Sequence, residues 1–395
     1  MRIAMVAMAV PTLQMPANGP HNINQAAALT AVGAPTELYA AAANMPRFLV
    51  RLVPRWKRLL DRPAAYEYDG VFIRTVRGPL IHQDIYRRRF AEPWPRITSR
   101  CLERFWVNRL DRAIDAQAPD LLYVNNGLMW GGVARAIARR RGIRFAFIEH
   151  ILIRLARGSR AASFYKELAD EAAGVFVVGA DSHKHLTEVL GITTATLLPD
   201  GARRPAEDQW DTPRPERWNG KKVVLCVGSF TVNKAHRELV KAFAEASGPD
   251  DVLAIIGDPP DWLLALVEEL GVGDRIEFIG RMPQWELMQY MVWTDLFALV
   301  SWVESFGMVF VEAMGAGTPA IMTSDCGVAP FVENGRQGWV VPPRDHEALV
   351  VTLKTALHDA DLTAMGKAGI ELVEERFAWE RNARDLLATL NGARA

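Results

Sequence analysis

The stretch from Trp302 to Ala320, WVESFGMVFVEAMGAGTPA, determines how this sequence of 395 residues is interpreted. It holds two glutamates, Glu304 and Glu312, among residues that are otherwise almost all apolar. A carboxylate is costly to bury in such surroundings unless a partner or a ligand binds it. The first question is therefore what these two acids hold.

Strand patterns flank this stretch on both sides. DLFALVS (295–301) precedes the helical part and PAIMTSD (319–325) follows it, and both are short apolar runs typical of buried parallel strands. Between them, GMVFVEAMGAG has helical spacing and ends in glycines that suit a helix C-cap. We predict a helix that begins near Gly307, with unpaired amides from Phe306 to Met308 that would bind an anion.

Strand and helix patterns alternate along the whole chain. Other strand candidates are RIAMVAM, LLYVNN, FAFIEH and VFVVGA in the first half and KVVLCVGSF, LAIIGD and IEFIG in the second. Amphipathic stretches such as 131–141 and 234–247 lie between them. This alternation predicts parallel sheets covered by helices on both faces, and it occurs twice. The Pro-rich, charged segment 202–220 is the predicted linker between two doubly wound domains whose strand carboxyl ends would face a shared cleft.

The charge differs between the two halves, although the formal net charge is zero. Residues 1–200 carry 27 Lys and Arg against 17 Asp and Glu, and residues 201–395 carry 19 against 29. Such a split suggests halves with different tasks. The three cysteines show neither metal-site nor disulfide spacing, which fits a reducing compartment, and no apolar run is long enough to cross a bilayer. We expect a cytoplasmic protein.

The predicted helix places the two glutamates roughly 9 Å apart along its axis. Two hydroxyl-binding acids with an anion site between them match a nucleotide sugar, which has hydroxyls at both ends and phosphates in the middle. One alternative is that Glu312 is a solvated helix residue and Glu304 a loop acid. Another is a glycosidase pair, since carboxyls about 5–10 Å apart are also the hydrolase geometry. A hydrolase, however, does not need an anion-binding helix end.

The segment ESFGMVFVEAMGAGTPAIMTSDCGVAPFVENGRQGWVVPPRD resembles the signature of family-four retaining glycosyltransferases of the GT-B fold. The likeness continues in VVLCVGSFTVNKAHRELVKAF, IEFIGRM, LLPDGARR and RFAWE, and it covers nearly all of 200–380. It implies an α/β protein of two Rossmann-like domains: an acceptor domain at 1–201, completed by a returning helix at 379–395, and a donor domain at 202–378. It also implies a UDP- or GDP-sugar donor, no other cofactor and no metal.

The resemblance assigns roles to single residues. Glu304 matches the acid that binds the donor sugar, and Glu312 matches the acid that binds the ribose. Lys234 matches the phosphate lysine, and His150, which ends FAFIEH, matches a histidine near the reacting carbon. The expected catalytic residues are thus His150, Lys234 and Glu304. The backbone stretch expected against the sugar and diphosphate consists of Ser305, Phe306, Gly307, Met308 and Val309.

Two positions depart from the family pattern. The family usually has an arginine where this chain has Ser229, so either Arg203, Arg204 or Arg281 supplies a second cation or the donor is held more loosely. We place Ser229 and Arg281 in the donor site. The family typically shows two adjacent glycines in the first domain. Here Gly19 is kept for the donor site, but Pro20 replaces the second glycine and has no N–H to offer. Asn22 or His21 is the alternative hydrogen-bond donor.

Residues 47–62, RFLVRLVPRWKRLLDR, combine six Lys and Arg with aromatic and aliphatic residues. This mixture is typical of a segment that lies on an anionic membrane surface, although Pro54 interrupts any single helix. The solvated face of an ordinary helix is an equal alternative. No nucleic-acid-binding motif accompanies the charge, so nucleic acid is not an expected partner. A sugar, a glycolipid or another glycoconjugate is the expected acceptor, at the inner face of the cytoplasmic membrane.

We therefore predict a retaining glycosyltransferase that moves a hexose-type sugar from a nucleotide diphosphate sugar to an acceptor hydroxyl, in the synthesis of cell-envelope or other glycoconjugates. The resemblance implies front-face attack, in which the leaving phosphate oxygen takes the proton of the acceptor. Two alternatives stay open. Ser229 and Pro20 favour a nucleotide-sugar-binding protein with little transfer activity, and the same fold would also serve a sugar-nucleotide epimerase.

Overall fold

The computed structural model describes residues 1–12, 19–43, 62–79, 96–114 and 119–392, with the backbone alone for 96–100. The chain forms two compact units: Met1–Pro199 together with Trp379–Ala395, and Asp200–Ala378. The predicted membrane-surface segment 47–62 lies outside the described residues, apart from Arg62.

The first unit is built on an eight-stranded sheet. Its strands are β1 (Ile3–Ala7), β2 (Thr36–Ala43), β3 (Ala65–Tyr68), β4 (Val71–Gly78), β5 (Leu121–Asn125), β6 (Arg144–Glu149), β7 (Gly174–Val177) and β8 (Ala195–Leu197). Their order is β3-β4-β2-β1-β5-β6-β7-β8, and all neighbours are parallel except β3 and β4, which form an antiparallel hairpin at the edge. The apolar runs of β1 and β5 are buried throughout, as expected for strands covered on both faces.

Helices cover this sheet. They are α1 (Pro20–Ala31), α2 (Arg96–Ala113), α3 (Gly132–Arg141), α4 (Arg160–Glu171) and the short α5 (Ala180–Lys184). A π-helical turn, Gly127–Gly131, leads from β5 into α3. In the core, the rings of Trp106 and Trp130 meet edge to face at 5.1 Å between centroids. None of the described helices is both long enough and apolar enough to cross a bilayer.

The second unit is built on a six-stranded parallel sheet. Its strands are β9 (Lys222–Val227), β10 (Asp251–Ile256), β11 (Ile276–Ile279), β12 (Leu296–Ala298), β13 (Ala320–Thr323) and β14 (Gly338–Val341), in the order β11-β10-β9-β12-β13-β14. The helices are α6 (Glu207–Trp210), α7 (His236–Ala246), α8 (Asp261–Glu269), α9 (Gln284–Trp293), α10 (Met308–Gly315), α11 (His346–Lys354) and α12 (Leu362–Arg376). The predicted fold class, two α/β domains with parallel sheets, is confirmed.

The last helix, α13 (Trp379–Gly392), belongs to the first unit and packs against α1. The buried side-chain amide of Gln25 donates to Asn382 Oδ1 at 2.9 Å. Asn382 in turn donates to the carbonyl of Pro199 at 2.7 Å. Each buried amide therefore has a partner, and these bonds join the end of the chain to the first unit.

The segment 202–220, expected to be a linker, instead packs on the second unit. Trp218 is fully buried, and its indole N–H donates to Glu277 at 3.1 Å. Arg214 pairs with Asp295 at 2.8 Å. The Pro-rich and charged composition of this segment predicts irregular structure, but the buried Trp218, one of its two tryptophans, fixes it to the second unit.

Candidate functional site

The predicted helix after Glu304 is present: α10 begins at Met308 and ends at Gly315. Gly307, its N-cap, has a left-handed backbone with φ of 96°, and a Cβ there would lie 2.6 Å from the ring of Phe310. Within the described part of the chain, no side chain caps this end. The amides of the first turn, which begins with Met308 and Val309, thus have the geometry that an anion site requires. Their contact with a phosphate stays a prediction.

The loop that carries Glu304 is held by a neighbouring loop. Gly327 N–H donates to the Glu304 carbonyl at 3.1 Å, and Val328 N–H donates to the Phe306 carbonyl at 2.9 Å. A Cβ on Gly327 would lie only 2.1 Å from the carbonyl oxygen of Ser305, so no side chain fits at this position. These contacts fix the backbone of Ser305 and Phe306, the stretch predicted to face the donor. The Phe306 side chain itself is buried.

Lys234 and Glu304, two of the predicted catalytic residues, form an ion pair between Nζ and Oε2. Lys234 ends the short turn Val232–Lys234 that follows β9, and Glu304 lies just before α10. Their side chains are 18% and 21% exposed, so the pair is partly desolvated but open to a ligand. The structure thus brings the predicted sugar-binding acid and the predicted phosphate lysine into direct contact.

Glu312 is buried inside the second unit, with 5% of its surface exposed. The alternative in which it is a solvated helix residue is therefore wrong. Gln284, at the start of α9, donates from Nε2 to Glu312 Oε1 at 2.6 Å. Burial raises the pKa of Glu312 to about 7, and the Gln284 hydrogen bond and the charge of Arg203 act in the opposite direction. The role of Gln284 has no local sequence signal, because its partner Glu312 lies 28 positions away.

Ser229, which stands in place of the family's arginine, and the three arginines proposed to supply a second cation lie in different surroundings. Ser229 is exposed after β9, and its hydroxyl lies 3.2 Å from Thr231 Oγ1. Arg281 pairs with Asp258 at 2.9 Å, and both side chains are largely exposed. Arg204 pairs with Glu374, whereas the charge of Arg203 reaches Glu312. Of the three arginines, Arg203 is the one whose charge acts on the pKa of Glu312.

Gly19 and His150 lie in the first unit, at the carboxyl edge of its sheet. Gly19 is the N-cap of α1 with φ of 67°, and a Cβ there would lie 2.4 Å from the carbonyl oxygen of Ala9. Pro20 occupies the first position of α1, where a missing N–H leaves no helical bond unmade. His150 follows β6, and its ring lies 4.3 Å from that of His21, centroid to centroid. The start of α1 and the end of β6 are therefore adjacent.

Asn22 does not serve as a substitute for the missing glycine amide. Its side chain is 2% exposed and donates to the carbonyl of Ala9 at 2.6 Å, while its own oxygen accepts a hydrogen bond from Asn125. These bonds connect the loop after β1 with the end of β5. The suggestion that Asn22 replaces the missing donor is therefore wrong, and His21 is the alternative that is left.

A buried acid, Glu149, lies directly before His150 and was missed by the sequence analysis. It is fully buried at the end of β6, and Oε1 accepts a hydrogen bond from the Gly127 amide at 2.7 Å. Burial raises the pKa of Glu149 to about 8, against the effect of its backbone hydrogen bonds and of the neighbouring Tyr165 hydroxyl. Glu149 is thus held at the start of the π-helical turn and next to a predicted catalytic histidine.

Among the residues that the structure describes, no three side chains of His, Cys, Asp or Glu come together as metal ligands would. Cys226 and Cys326 are buried free thiols in the second unit. Burial raises the pKa of Cys226 to about 12 and that of Cys326 to about 11. Both sulfurs are therefore protonated and unreactive at neutral pH.

Comparison with known sequences decides the family. The profile of the family "Glycosyl transferases group 1" matches residues 208–372. This part of the chain belongs to that family. Every predicted donor residue of the second unit, from Ser229 to Glu312, lies inside the matched segment, whereas Gly19 and His150 lie outside it.

Curated proteins with partial similarity to the chain include a glycosyltransferase and a synthase. It is 29% identical to the D-inositol 3-phosphate glycosyltransferase of Nocardia farcinica over 58% of this chain and 54% of that protein. It is 31% identical to the N-acetyl-alpha-D-glucosaminyl L-malate synthase of Bacillus anthracis over 41% of this chain and 43% of that protein. The chain thus spans about half the length of the curated relatives that it matches.

Solved structures resemble the chain over nearly its whole length. Sucrose-phosphate synthase from Thermosynechococcus elongatus has a TM-score of 0.74 at 22% identity and covers 99% of this chain and 98% of its own. HepE from Anabaena, solved in complex with UDP and glucose, has a TM-score of 0.71 at 16% identity and covers 99% of this chain and 100% of its own. At these identities the likeness establishes the fold, and the predicted GT-B fold is confirmed.

Proposed function

We propose that the protein is a retaining glycosyltransferase that moves a hexose-type sugar from a nucleotide diphosphate sugar to an acceptor hydroxyl. The observation that carries this proposal is the start of α10, where uncapped amides are preceded by Glu304 and followed by the buried Glu312. A buried acid and an anion site on one short helix fit a ligand that alternates hydroxyls and phosphates. The family match over the same residues supports this assignment.

In the proposed donor complex each group of the second unit has one task. Glu312 accepts from the ribose hydroxyls, and the amides of Met308 and Val309 hold the diphosphate. Glu304 accepts from the sugar hydroxyls. Lys234 supplies a positive charge to the leaving diphosphate, so the developing charge is stabilised without a metal in this scheme. UDP is the first nucleotide to test, because a solved structural neighbour holds it, and GDP is the second.

The Lys234–Glu304 pair is consistent with such a role. Lys234 contacts Oε2 of Glu304, which leaves Oε1 to accept hydrogen bonds from sugar hydroxyls. When a diphosphate binds to the amides at the start of α10, Lys234 gains it as a second anionic partner besides Glu304. The lysine is then shared between the sugar-binding acid and the leaving group.

Retention of configuration is part of the proposal and comes from the resemblance to family-four enzymes. The acceptor hydroxyl attacks from the face that the diphosphate leaves, and the departing phosphate oxygen takes its proton. His150 stabilises charge or binds the sugar near the reacting carbon. Gly19 and His21 provide the remaining contacts of the first unit, which is the proposed acceptor domain.

The acceptor is proposed to be a sugar, a glycolipid or another glycoconjugate. The basic excess of residues 1–200 favours an acceptor or a surface that carries negative charge. The segment 47–62 would then bind an anionic membrane from the cytoplasmic side, at about 1 kcal/mol for each basic residue near the surface. An acceptor linked to a lipid diphosphate would satisfy both features.

The proposal is tested by incubation with UDP-glucose and GDP-mannose, with and without a chelator, in the presence of membrane lipids or soluble sugars. We expect release of nucleoside diphosphate, formation of a product with the anomeric configuration of the donor, and no loss of rate with the chelator. Two matched variants distinguish the effect of losing a site residue from the effect of losing a surface acid. Glu304→Ala should abolish transfer, and Glu333→Ala, which removes an exposed partner of Arg336, should not.

Other outcomes of this experiment would contradict the proposal. Tight nucleotide binding without any released diphosphate, even into water, would support the binding-protein alternative. An isomerised nucleotide sugar would support an epimerase. Inverted product would refute the retaining mechanism while leaving the transferase assignment intact.

A further inference from the structure

Gln284 contacts the predicted ribose acid from a different element of the second unit. It is the first residue of α9, and its Nε2 donates to Glu312 Oε1 at 2.6 Å. The two residues are 28 positions apart, so the contact exists only in the folded chain. A hydrogen bond to an ionised group is stronger than a bond between neutral groups.

The start of α9 is anchored, which keeps Gln284 in place. Gln209, in α6, donates to the carbonyl of Trp285 at 2.7 Å, directly after Gln284 in the chain. Gln289, one turn further along α9, donates to the carbonyl of Gln209 at 2.9 Å. Because two hydrogen bonds fix the first turns of α9 to α6, Gln284 approaches Glu312 from a defined direction.

The surroundings of Glu312 contain little charge. Of the groups that the structure describes, Arg203 is the charged one whose field reaches the carboxyl, and Gln284 is its hydrogen-bond donor. The neighbouring residues of α10, Phe310, Val311 and Ala313, are buried and apolar. Burial therefore works against the ionised form of Glu312, and Gln284 and Arg203 work for it.

A neutral amide is suited to this position. It donates to one carboxylate oxygen without neutralising the charge, so the second oxygen keeps its strength as an acceptor.

We propose that Gln284 is a positioning residue for the nucleotide: its amide holds Oε1 of Glu312, so that Oε2 is presented to the ribose hydroxyls. The inference rests on the proposed function, in which Glu312 binds the ribose. Gln284 acts through Glu312 and needs no contact with the ligand.

The role makes nucleotide affinity depend on pH. Ribose hydroxyls donate hydrogen bonds to an ionised carboxylate. Glu312 therefore has to lose its proton before it can accept hydrogen bonds from both ribose hydroxyls. Affinity should therefore increase as pH rises through the pKa of Glu312 and level off above it. Removal of the Gln284 amide takes away a bond that favours the ionised form, so the rise should move to higher pH.

The test is the dissociation constant of UDP, or of GDP if the protein prefers it, measured by calorimetry from roughly pH 5.5 to pH 8.5. Wild-type protein is compared with Gln284→Leu, Glu312→Gln and Gln337→Leu. Gln337 is the matched control, because it is a buried glutamine of the same unit whose Oε1 accepts from the Glu333 amide, away from α9.

We expect Gln284→Leu to bind about tenfold more weakly at neutral pH and to recover part of this loss at higher pH. Glu312→Gln should bind weakly and keep only the pH dependence that ionisation of the nucleotide's terminal phosphate gives every variant. Gln337→Leu should lose thermal stability but keep the wild-type pH profile, which separates positioning from a general loss of structure.

Two results would overturn the inference in different ways. If Gln284→Leu keeps the wild-type affinity and pH profile, Gln284 has no positioning role, and the proposed function stands. If Glu312→Gln binds like wild type, or if wild-type protein binds neither nucleotide, the ribose assignment fails and takes the inference with it.

Discussion

Replacing Glu149 by glutamine is expected to remove a strong pH dependence from the stability of the first unit. Burial raises the pKa of this carboxyl from 4.5 to about 8. The folded protein therefore keeps a proton that the unfolded chain releases, and the free energy of unfolding falls as pH rises from about 4.5 to about 8. Since each pKa unit corresponds to about 1.4 kcal/mol, the full effect is roughly 5 kcal/mol.

Glutamine is suited to this test because it resembles the protonated acid. Its oxygen can accept from the Gly127 amide, 2.7 Å from Oε1 in the wild type, and its NH₂ group can donate to the Tyr165 hydroxyl. The variant should therefore match the wild type near pH 5 and exceed it in stability near pH 9 by up to several kcal/mol.

The assay is amide hydrogen exchange of β6 peptides at several pH values, corrected for intrinsic exchange, because it reports the first unit separately from the second. Denaturant unfolding by tryptophan fluorescence provides a second measure. Parallel stability curves for wild type and Glu149→Gln between pH 5 and pH 9 would refute the reasoning, since they would show that Glu149 ionises in the folded protein as it does in the unfolded chain.

Three further predictions concern the second unit and the membrane. Glu304→Ala should lower transfer by several orders of magnitude while UDP still binds, as measured by initial rates and calorimetry; unchanged turnover would contradict its sugar role. Gly327→Ala places a Cβ 2.1 Å from the carbonyl oxygen of Ser305. It should lower the free energy of unfolding by about 1–3 kcal/mol, seen as a lower melting temperature, and it should also lower the rate of transfer. Gly273→Ala, where the nearest atom is 3.9 Å away, is the control and should change neither. Replacing the four Lys and Arg of 51–58 with glutamine should abolish co-sedimentation with anionic vesicles, and a wild type that never co-sediments would rule out membrane binding.

The sequence predicted the buried strands with continuous apolar runs but not the others. β1, β5, β6 and β7 have such runs, whereas β2 reads TELYAAAA, and alanine has little strand preference. The hairpin of β3 and β4 had a usable signal: Asp69 and Gly70 both adopt left-handed backbones, as an Asp-Gly hairpin turn requires. β14, with only four residues, depends on its pairing with β13.

The candidate site could be predicted from the sequence where its residues lie close together in the chain. The start of α10 follows from apolar spacing and from Gly307, and all of these features lie within a dozen residues. The contacts of Lys234 with Glu304 and of Gln284 with Glu312 join residues 70 and 28 positions apart, and no local pattern encodes them. The burial of Glu149 was missed for a similar reason, because an acid at a strand end is usually solvated.

The path of the chain through the two units has a consequence for synthesis on the ribosome. The chain leaves the first unit at Pro199 and returns to it only with α13. The whole second unit is therefore inserted into the sequence of the first. Gln25 meets Asn382 only after 357 further residues have been added. Until then α1 lacks the helix that covers it, although all eight strands of the first sheet have already been made. A stop codon before Trp379 would therefore damage the unit that was made first.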